Sequence, residues 1–258
     1  KECVLSGANP EIVSQLKKEL TMKNPAYIEA KKRERWTGNI DKILTFYKED
    51  APVVYGPTPA TSLSFPRGFI RGALDITGHG VVFQDDRQTL PGVDFQFKGK
   101  LMSYQDEALQ SLLKKDFGFL EALMGSGKTV VALAVIAARK QPTLIVVHNK
   151  ELLYQWRDRI AKFLGVSAGL VGDSKFDIQP ITVGITNSVR KYLADLPKYF
   201  GQIISDEVHR CPSAMLSEVV QAFDYKYMRG LSATPYRRDK LTNLIHCFIG
   251  PLVHKIDP

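Results

Sequence analysis

A glycine-rich turn between two apolar runs constrains the fold of this chain more than any other feature. Residues 122–129 read Ala-Leu-Met-Gly-Ser-Gly-Lys-Thr, and they stand between the apolar run 117–120 and a second run, 130–138, that predicts a helix. A strand, a tight turn and a helix N-terminus in this order aim backbone N–H groups at one point, which suits a polyphosphate. The turn has P-loop spacing, with alanine in the place of the first glycine, so we expect Lys128 to reach the β and γ phosphates and the Thr129 hydroxyl to ligate Mg²⁺. The predicted phosphate-binding residues are Met124, Gly125, Ser126, Gly127, Lys128 and Thr129.

The composition is that of an ordinary globular protein. Of the 258 residues, 44% are hydrophobic and 24% are charged, which is enough apolar material for one large α/β domain or for an ordinary domain with a smaller one. The longest apolar run, residues 130–138, is too short to cross a bilayer, and neither end carries a signal peptide or a lipidation motif. We therefore expect a cytoplasmic protein without membrane association. The chain begins with lysine, so we expect it to be part of a longer protein.

The charge is unevenly distributed along the chain, whose formal net charge is +8. Residues 1–98 carry 14 basic and 12 acidic side chains, whereas the remainder carries 21 and 15, so the excess lies mainly with the P-loop. A basic nucleotide-binding region favours a polyanionic partner, because lysine and arginine release counterions from nucleic acid. Cys3, Cys211 and Cys247 have no metal-ligand spacing and are predicted to be buried free thiols in a reducing compartment.

Residues 1–98 predict a small α+β domain. Its predicted order is a strand over 3–5, a helix over 11–20, a hairpin of strands over 26–36 and 42–48 joined through 37–39, a proline-rich loop or extended connector over 51–66, a helix over 69–76 and a strand over 81–84. Arg67 and Arg71 lie on and just after a Pro-Arg-Gly turn. We regard these two arginines as candidates for contacts with a nucleic-acid backbone.

Residues 99–258 alternate between strands and helices. The predicted strands cover 117–120, 143–147, 181–185, 203–205 and 228–231, and the predicted helices cover 105–114, 129–139, 151–163 and 212–223. Short apolar strands without polar alternation are typical of a parallel sheet with helices on both faces. The pattern therefore predicts the α/β class.

Two carboxylates follow one of these strands directly. The strand over 203–205 runs into Asp206 and Glu207, at the carboxyl edge where α/β sheets bind ligands. We expect Asp206 to hold Mg²⁺, directly or through water, and Glu207 to polarise the water that attacks the γ-phosphate.

Two hydroxyl side chains follow the last predicted strand. Ser232 and Thr234 come directly after the strand over 228–231, at the height where they can meet the side chains of Glu207 and His209. Ser-Ala-Thr is a common loop sequence, so this assignment depends on the segments beside it.

Taken in order, three segments resemble the motifs of superfamily 2 helicases of the DExH type: the P-loop, Asp-Glu-Val-His at 206–209 and Ser-Ala-Thr-Pro at 232–235. The resemblance implies a RecA-like parallel sheet with helices on both faces, preceded here by the small α+β domain. It also implies an ATP hydrolase with ATP and Mg²⁺ as cofactors. By this resemblance the catalytic residues are Lys128, Asp206, Glu207 and His209, and the coupling residues are Ser232 and Thr234.

Three further segments extend the resemblance. Tyr104 and Gln105 stand where these helicases place an adenine-reading glutamine, whose amide pairs with the N6 donor and the N7 acceptor of the base. Residues 145–156 resemble motif Ia, which touches the nucleic-acid backbone, with histidine where proline is common. Residues 184–188 resemble the Thr-x-Gln-Ser segment, with asparagine in the glutamine place. The nucleic-acid contacts implied in this way are His148, Asn149, Lys150 and Thr186.

Other segments narrow the resemblance to XPB-type repair helicases and UvsW-type phage helicases. Residues 236–239 and 248–253 look like the end of the first motor domain in that group, with Arg238 where the XPB type has glutamate. Residues 1–98 resemble the small domain that precedes the motor there, which is implicated in recognising distorted or branched DNA. The resemblance thus implies a DNA-recognition domain over 1–98 and a first RecA-like domain over 99–258.

The group's motor has two RecA-like domains with ATP between them, and the second supplies arginine fingers. This chain stops where the first domain is expected to end. The resemblance therefore implies a monomeric N-terminal portion that binds DNA, works with a C-terminal RecA-like domain missing from this chain, and hydrolyses ATP slowly alone.

Three functions remain open from the sequence. The first is an ATP-dependent DNA helicase that acts in repair or on branched DNA. The others are a double-strand DNA translocase motor of a restriction or remodelling complex, and a nucleotide-switched DNA-binding module without motor activity. RNA is an alternative to DNA in each case, since phosphate-gripping motifs do not identify the sugar.

Overall fold

The computed structural model describes residues 2–53, 60–78, 82, 84–210, 213–234 and 242–256. Its first strands and helices are β1 (Glu2–Ser6), α1 (Pro10–Glu19), β2 (Thr21–Lys23), α2 (Pro25–Lys32), β3 (Ile43–Thr45), β4 (Lys48–Val53), β5 (Ala60–Pro66) and α3 (Ile70–Thr77). β1, β5 and β4 form one antiparallel sheet in that order, and β2 pairs antiparallel with β3. The predicted strand over 3–5 and the predicted helices over 11–20 and 69–76 are confirmed.

The predicted hairpin over 26–48 is wrong, because its first half is helix α2. The Asn24 side chain accepts a hydrogen bond from Ala26 N at 3.0 Å, and Pro25 occupies the first turn. An asparagine cap followed by proline favours a helix start, since the cap satisfies a free N–H and proline has none to satisfy. β3 then pairs with β2, which precedes the helix.

Residues 51–66, predicted to be a loop or extended connector, are strand in the part that the structure describes. Residues at both ends of this segment belong to β4 and β5, which pair with each other, and residues 54–59 lie outside the described ranges. Pro66 is the last residue of β5, so it leaves the ladder before it intact. The predicted strand over 81–84 falls partly outside the described residues, and residues 82 and 84 belong to no strand.

The later strands form the central sheet. They are β6 (Phe119–Ala122), β7 (Thr143–Val147), β8 (Gly169–Gly172), β9 (Lys175–Phe176), β10 (Ile181–Ile185), β11 (Gln202–Ser205), β12 (Tyr227–Ser232) and β13 (Leu252–Ile256). The helices between them are α4 (Ser103–Leu113), α5 (Lys128–Arg139), α6 (Lys150–Leu164), α7 (Thr186–Arg190), α8 (Ser213–Ala222) and α9 (Thr242–Ile249). The sheet order is β13-β6-β12-β11-β7-β10-β8-β9, and all neighbours are parallel except β8 and β9.

This sheet confirms the α/β class and the predicted strands and helices of the second part. β7 and β10 have the predicted bounds, whereas β8, β9, β13, α7 and α9 were not predicted. In β7, Leu144 and Val146 belong to one apolar cluster, and Ile145 and Val147 belong to another. Because successive side chains of a strand point to opposite faces, the sheet is covered on both sides.

The first part of the chain packs against the amino edge of this sheet, where the parallel strands begin. Leu16, Leu63 and Phe65 lie in the same apolar cluster as Phe248 of α9. A Cβ on Gly68 would lie 2.6 Å from the Cys247 carbonyl oxygen, so this close approach requires glycine.

An extended segment over residues 84–98 then runs along the α/β part. Gln141 donates to Leu90 O at 3.0 Å and accepts from Leu90 N at 2.9 Å. Phe95 joins the apolar cluster that contains Ile145. The segment thus leads the chain from the small sheets to helix α4.

Candidate nucleotide site and nucleic-acid interface

The motif segments gather at the carboxyl edge of the central sheet. The P-loop follows β6, Ser232 ends β12, Asp206 follows β11, residues 148–150 follow β7 and Thr186 follows β10. These strands are consecutive in the sheet, so the segments form one row along the edge where open α/β sheets bind ligands.

The P-loop has the backbone that a phosphate cradle needs. Gly125 and Gly127 have φ values of +85° and +86°, in the left-handed region that favours glycine. A Cβ on Gly127 would also lie 2.2 Å from Gln105 Nε2. Lys128 is only 9% exposed, and its ammonium turns back into the loop to donate to Ala122 O at 2.7 Å. The lysine charge is therefore held inside the loop.

Gln105 joins helix α4 to the P-loop. Its Nε2 donates to Ser126 O at 3.1 Å, and its Oε1 accepts from Met102 N at 3.0 Å. Both ends of the amide are engaged in this way, and adenine recognition by Gln105 stays a prediction. Tyr104 packs against the apolar cluster on that side, and Met124 is exposed on the loop.

Asp206 is a buried carboxylate held by two donors. Trp156 Nε1 donates to Oδ2 at 2.8 Å, and Glu207 N donates to Oδ1 at 3.0 Å. Burial raises the pKa of Asp206, and the Glu207 carboxylate acts in the same direction, whereas the Trp156 hydrogen bond and the Lys128 ammonium lower it. β6, which leads into the P-loop, and β11, which leads into Asp206, are separated in the sheet by β12 alone, so the P-loop and Asp206 lie at one edge.

Glu207, His209, Ser232 and Thr234 form one chain of polar contacts. His209 Nδ1 lies 3.2 Å from Glu207 Oε2 and 2.8 Å from Ser232 Oγ. The Ser232 hydroxyl donates its single hydrogen to the Thr234 carbonyl, so the proton between His209 and Ser232 belongs to His209 Nδ1. The structure brings these four residues together, although Thr234 takes part through its backbone.

Two residues of α6 reach the same site and were missed by sequence reasoning. Trp156 contacts Asp206 as described, and Arg159 Nη1 donates to Thr129 Oγ1 at 2.6 Å. Residues three apart lie on one face of a helix, and this face of α6 meets both residues predicted to ligate Mg²⁺. The sequence offers only the spacing of an aromatic and a basic residue, which is equally typical of a helix that packs on a core.

The predicted motif Ia contacts differ in their exposure. Asn149 caps α6 by accepting from Leu152 N at 2.9 Å. His148 is half-buried, and among the described residues its Nδ1 has no hydrogen-bond partner. Lys150 is exposed and pairs with Asp173 at 2.8 Å. Of these three, Lys150 is the residue that presents a charge at the surface.

Thr186 is buried at the start of α7. Its hydroxyl donates to Val147 O at 3.0 Å, which fixes the end of β10 to the end of β7. This hydrogen bond gives Thr186 a role in holding the carboxyl edge of the central sheet together. Contact between Thr186 and nucleic acid stays a prediction.

A basic patch surrounds Tyr154 on α6. The charged groups of Lys150, Arg157 and Lys175 lie 6.0, 4.8 and 5.0 Å from its ring centroid. Asp173 offsets part of this charge, since it pairs with Lys150 and accepts from the Tyr154 hydroxyl. The patch gives the carboxyl edge a cationic surface beside the nucleotide site.

Arg67 and Arg71 do not reach this edge. Arg67 is 6% exposed, its guanidinium stacks over the Tyr225 ring at 4.3 Å, and it donates to Tyr225 O at 3.3 Å. Its burial leaves no surface for the predicted nucleic-acid contact and gives it a role in holding the first part of the chain to the sheet. Arg71 is exposed, but it lies with Lys114 and Lys115 around a cavity at the amino edge.

The remaining sequence predictions concern thiols, metals and membranes. Cys3 and Cys247 are free, and burial raises their pKa values to about 11 and about 12, while Cys211 lies outside the described residues. Within the described ranges, no group of three or more His, Cys, Asp or Glu side chains is placed to hold a metal ion. None of the helices that the structure describes has the length and apolar character needed to cross a bilayer.

The fold and this site define a P-loop protein of the helicase type, and comparison with known proteins gives the family. The family described as "Type III restriction enzyme, res subunit" matches residues 98–237. This is more than half of the chain, which therefore belongs to that family. The predicted likeness to superfamily 2 helicases is confirmed.

Relatives and solved structures agree with this assignment. "DNA 3'-5' translocase XPB2" of Sulfurisphaera tokodaii is 36% identical over 167 residues, which cover 65% of this chain and 38% of that protein. "Putative DNA 3'-5' helicase Rad25" of Haloarcula marismortui is 29% identical over 189 residues, which cover 70% of this chain and 30% of that protein. The chain thus spans less than half the length of these relatives.

The crystal structure of the UvsW helicase from bacteriophage T4 matches with a TM-score of 0.68 at 16% identity. The match covers 96% of this chain and 94% of that one, so the likeness includes the small sheets as well as the central sheet. At this identity the comparison shows the fold, which is RecA-like in its α/β part.

Proposed function

We propose that this chain is the nucleotide- and DNA-binding portion of an ATP-dependent DNA helicase or translocase that acts in repair or on branched DNA. The row formed by the P-loop, the Asp206–Glu207 turn and the His209–Ser232 contact, next to the basic patch, is the observation that carries the proposal. The XPB2 and Rad25 relatives are named for DNA, whereas other relatives of comparable identity are named as putative RNA helicases, so RNA is the alternative that the experiment below must test. We further propose that the protein is a cytoplasmic monomer.

ATP and Mg²⁺ fit the residues that are present. The Thr129 hydroxyl and the Asp206 carboxylate are hard oxygen donors, and Mg²⁺ is commonly held by one or two such groups together with water and phosphate oxygens. Lys128 is already inside the loop, where phosphate oxygens would replace the Ala122 carbonyl as acceptors of its protons. When bound, Mg²⁺ supplies neutralisation of phosphate charge.

Glu207 is the residue we assign to activating water. Its carboxylate would accept the proton of a water that attacks the γ-phosphate, and His209 Nδ1 lies 3.2 Å from Oε2, a buried oxygen with no hydrogen-bond partner among the described residues. Ser232 Oγ lies 2.8 Å from the same ring nitrogen. A movement of β12 would therefore reach Glu207 through His209, which is the coupling role proposed for Ser232 and Thr234.

We assign residues 1–98 to a DNA-recognition domain and residues 99–258 to the first RecA-like motor domain. A lysine groove in the first of these supports the assignment: Lys23, Lys31, Lys32 and Lys42 line it around Tyr27, Ile28 and Ile43. None of the four lysines has an ion-pair partner among the described residues. Unpaired lysines around apolar side chains suit phosphates on one side and bases or sugars on the other.

A second RecA-like domain of the same protein is the partner that we propose for the nucleotide site. An arginine finger from such a domain accelerates related phosphoryl transfers by about 10³–10⁵. We therefore expect the 258-residue chain to bind ATP and to hydrolyse it slowly when it is alone.

The experiment that tests this function is the ATPase rate of the chain with and without DNA, alone and joined to a second RecA-like domain. We expect strong stimulation by DNA in the two-domain protein, greatest with forked DNA. No stimulation by single-stranded, duplex or forked DNA in either protein would contradict the motor function. Stimulation by RNA alone would contradict the choice of DNA.

The family description favours one alternative, a double-strand DNA translocase that does not separate strands. Such a motor would show DNA-stimulated ATPase and displace a triplex-forming strand from duplex DNA. It would leave a forked duplex unwound, whereas a helicase would release its strands.

A further inference from the structure

Helix α6 touches both predicted Mg²⁺ ligands with one set of its side chains, and other side chains of the same helix form the basic patch. We propose that α6 couples the nucleic-acid contact to the Mg²⁺ site, with Trp156 and Arg159 as positioning residues, and that Arg159 must leave Thr129 before Mg²⁺ binds there. The proposal rests on the proposed function, since it takes Thr129 and Asp206 as the metal ligands.

The contacts of α6 with the site come from a single helical face. Trp156 is 1% exposed and donates to Asp206 Oδ2, and Arg159, one turn later, donates to Thr129 Oγ1 at 2.6 Å. Asp206 and Thr129 are in different parts of the chain, after β11 and inside α5. This face of α6 is therefore the element that holds the two oxygen groups relative to each other.

In the part of the chain that the structure describes, Arg159 is a cation without a carboxylate partner. It is half-buried, and among the described residues it forms no ion pair, so Thr129 Oγ1 is the acceptor recorded for its guanidinium. A Mg²⁺ ion binds oxygen at about 2.0–2.1 Å. A metal on Thr129 would then stand within about 5 Å of the guanidinium, where like charges repel strongly in a poorly solvated site. Arg159 and Mg²⁺ are consequently alternative occupants of the Thr129 hydroxyl.

Side chains on another face of α6 form the basic patch. Asn149 caps the helix, Lys150 begins it, and Tyr154 lies among three cationic side chains. A helix rises about 1.5 Å per residue, so the nine residues from Lys150 to Arg159 span about 14 Å. Release of Arg159 would free α6 at the nucleotide site, and a shift of a rigid helix moves the patch side chains together with Trp156 and Arg159.

The test is the affinity of the ADP-loaded chain for Mg²⁺, measured by titration calorimetry on wild type and three variants. Arg159→Ala should bind Mg²⁺ about tenfold more tightly than wild type, because the competing cation is gone. Arg159→Lys keeps the charge and a donor and should stay within about threefold of wild type. Lys162→Ala removes an exposed charge from the same helix and serves as the control, with no change expected.

A second measurement, Trp156 fluorescence, reports on helix α6 rather than on Mg²⁺ binding. Trp36 is 74% exposed and Trp156 is buried, so in a Trp36→Phe background the fluorescence reports on Trp156 alone. Addition of Mg²⁺ to the ADP-loaded chain should change this emission, and in Arg159→Ala the change should occur at lower Mg²⁺ concentration.

The outcomes separate the two proposals. Normal ADP binding with equal or weaker Mg²⁺ affinity in Arg159→Ala would overturn the role of Arg159 and leave the proposed function standing. Unchanged Trp156 emission on Mg²⁺ addition would overturn the coupling through α6. Failure of wild type to bind ADP would overturn the proposed function, and the inference with it.

Discussion

At Glu207 the backbone adopts a φ of +48°, in the region that non-glycine residues seldom occupy. The preceding residue, Asp206, accepts a hydrogen bond from Glu207 N, and His209 Nδ1 lies 3.2 Å from the Glu207 carboxylate. Such local strain persists where neighbouring contacts determine it. Here it lets consecutive carboxylates serve two tasks: one is buried toward Trp156, and the other faces His209.

The change Glu207→Gln tests this division of tasks. Glutamine keeps the size and a hydrogen-bond acceptor but cannot take a proton from water, so ATP should bind within about threefold of wild type while turnover falls by about 10²–10⁴, the usual contribution of a general base. Single-turnover hydrolysis and equilibrium ATP binding in the two-domain protein measure the two effects. Glu151→Gln, an exposed change on α6, is the matched control. Near-normal turnover in Glu207→Gln would show that another group activates the water.

At this scale, residues that act through local spacing could be predicted, and residues that act through the fold could not. Lys128 and Thr129 follow a glycine-rich turn, and the glycines of that turn determine its backbone conformation. Arg159 reaches Thr129 across 30 positions of sequence, and Arg67 is buried by contacts more than 150 residues away. Such pairings depend on helix and strand packing, which a single sequence does not specify.

Among the elements, the segment 84–98 is fastened to the sheet by a charged cluster. Arg87 donates to both carboxylate oxygens of Asp85 at 2.7 Å and to Asp116 Oδ2 at 2.9 Å. The hydrogen bonds from Arg87 lower the pKa of Asp85 to about 2. The pair therefore joins the segment to the loop before β6 and favours the charged form of Asp85.

Asp85→Asn should reveal this contribution through its pH dependence. Because the folded-state pKa lies below the ordinary value, ionised Asp85 stabilises the fold above about pH 4, and the effect is lost as the pH falls toward 2. The variant should be less stable than wild type by about 1 kcal/mol at pH 7, and the difference should shrink below pH 4. Urea unfolding from pH 6 to pH 2.5 measures it, with Asp86→Asn as the control. A difference that does not depend on pH would rule out the ionised pair as its source.

The elements that sequence reasoning got wrong share a physical cause. The short strands and helix of residues 21–66 are stabilised by pairings across the chain, as in β1 with β5, and alternating apolar residues fit either a strand or a helix in such short pieces. The sequence Asn24-Pro25 is a helix-start signal for α2. It outweighs the strand-like alternation of apolar residues that follows it. By contrast, β7 and β10 are continuous apolar runs at the centre of a covered sheet, where burial and local preference agree.

On the scale of the whole molecule, two cationic surfaces are separate in sequence. The basic patch lies beside the nucleotide site, and the lysine groove lies on α2 and the strands next to it. If both contact DNA, the proposed function expects residues 1–98 to hold the strand while the proposed motor domain moves along it. Part of the excess positive charge of the sequence therefore lies on these two surfaces.

The salt dependence of DNA binding tests the groove. Lys31→Ala combined with Lys42→Ala should weaken binding of forked DNA and reduce the slope of log K against log salt by about 2, since each phosphate contact contributes about 0.9. Fluorescence anisotropy between 50 and 200 mM salt is the measurement. The control, Lys162→Ala with Lys198→Ala, removes the same charge from exposed positions of the motor domain. Equal slopes in the two double variants would place the DNA contact elsewhere.

The account depends most on the P-loop as the site of Mg²⁺–ATP, and Lys128→Ala tests this directly. Calorimetric titration of ATP in the presence of Mg²⁺ should show one site in wild type and at least a tenfold loss of affinity in Lys128→Ala, because the buried ammonium no longer meets the phosphates. Thermal unfolding of the ligand-free proteins shows whether the variant keeps its fold. Equal ATP affinity in a folded Lys128→Ala would contradict the central claim.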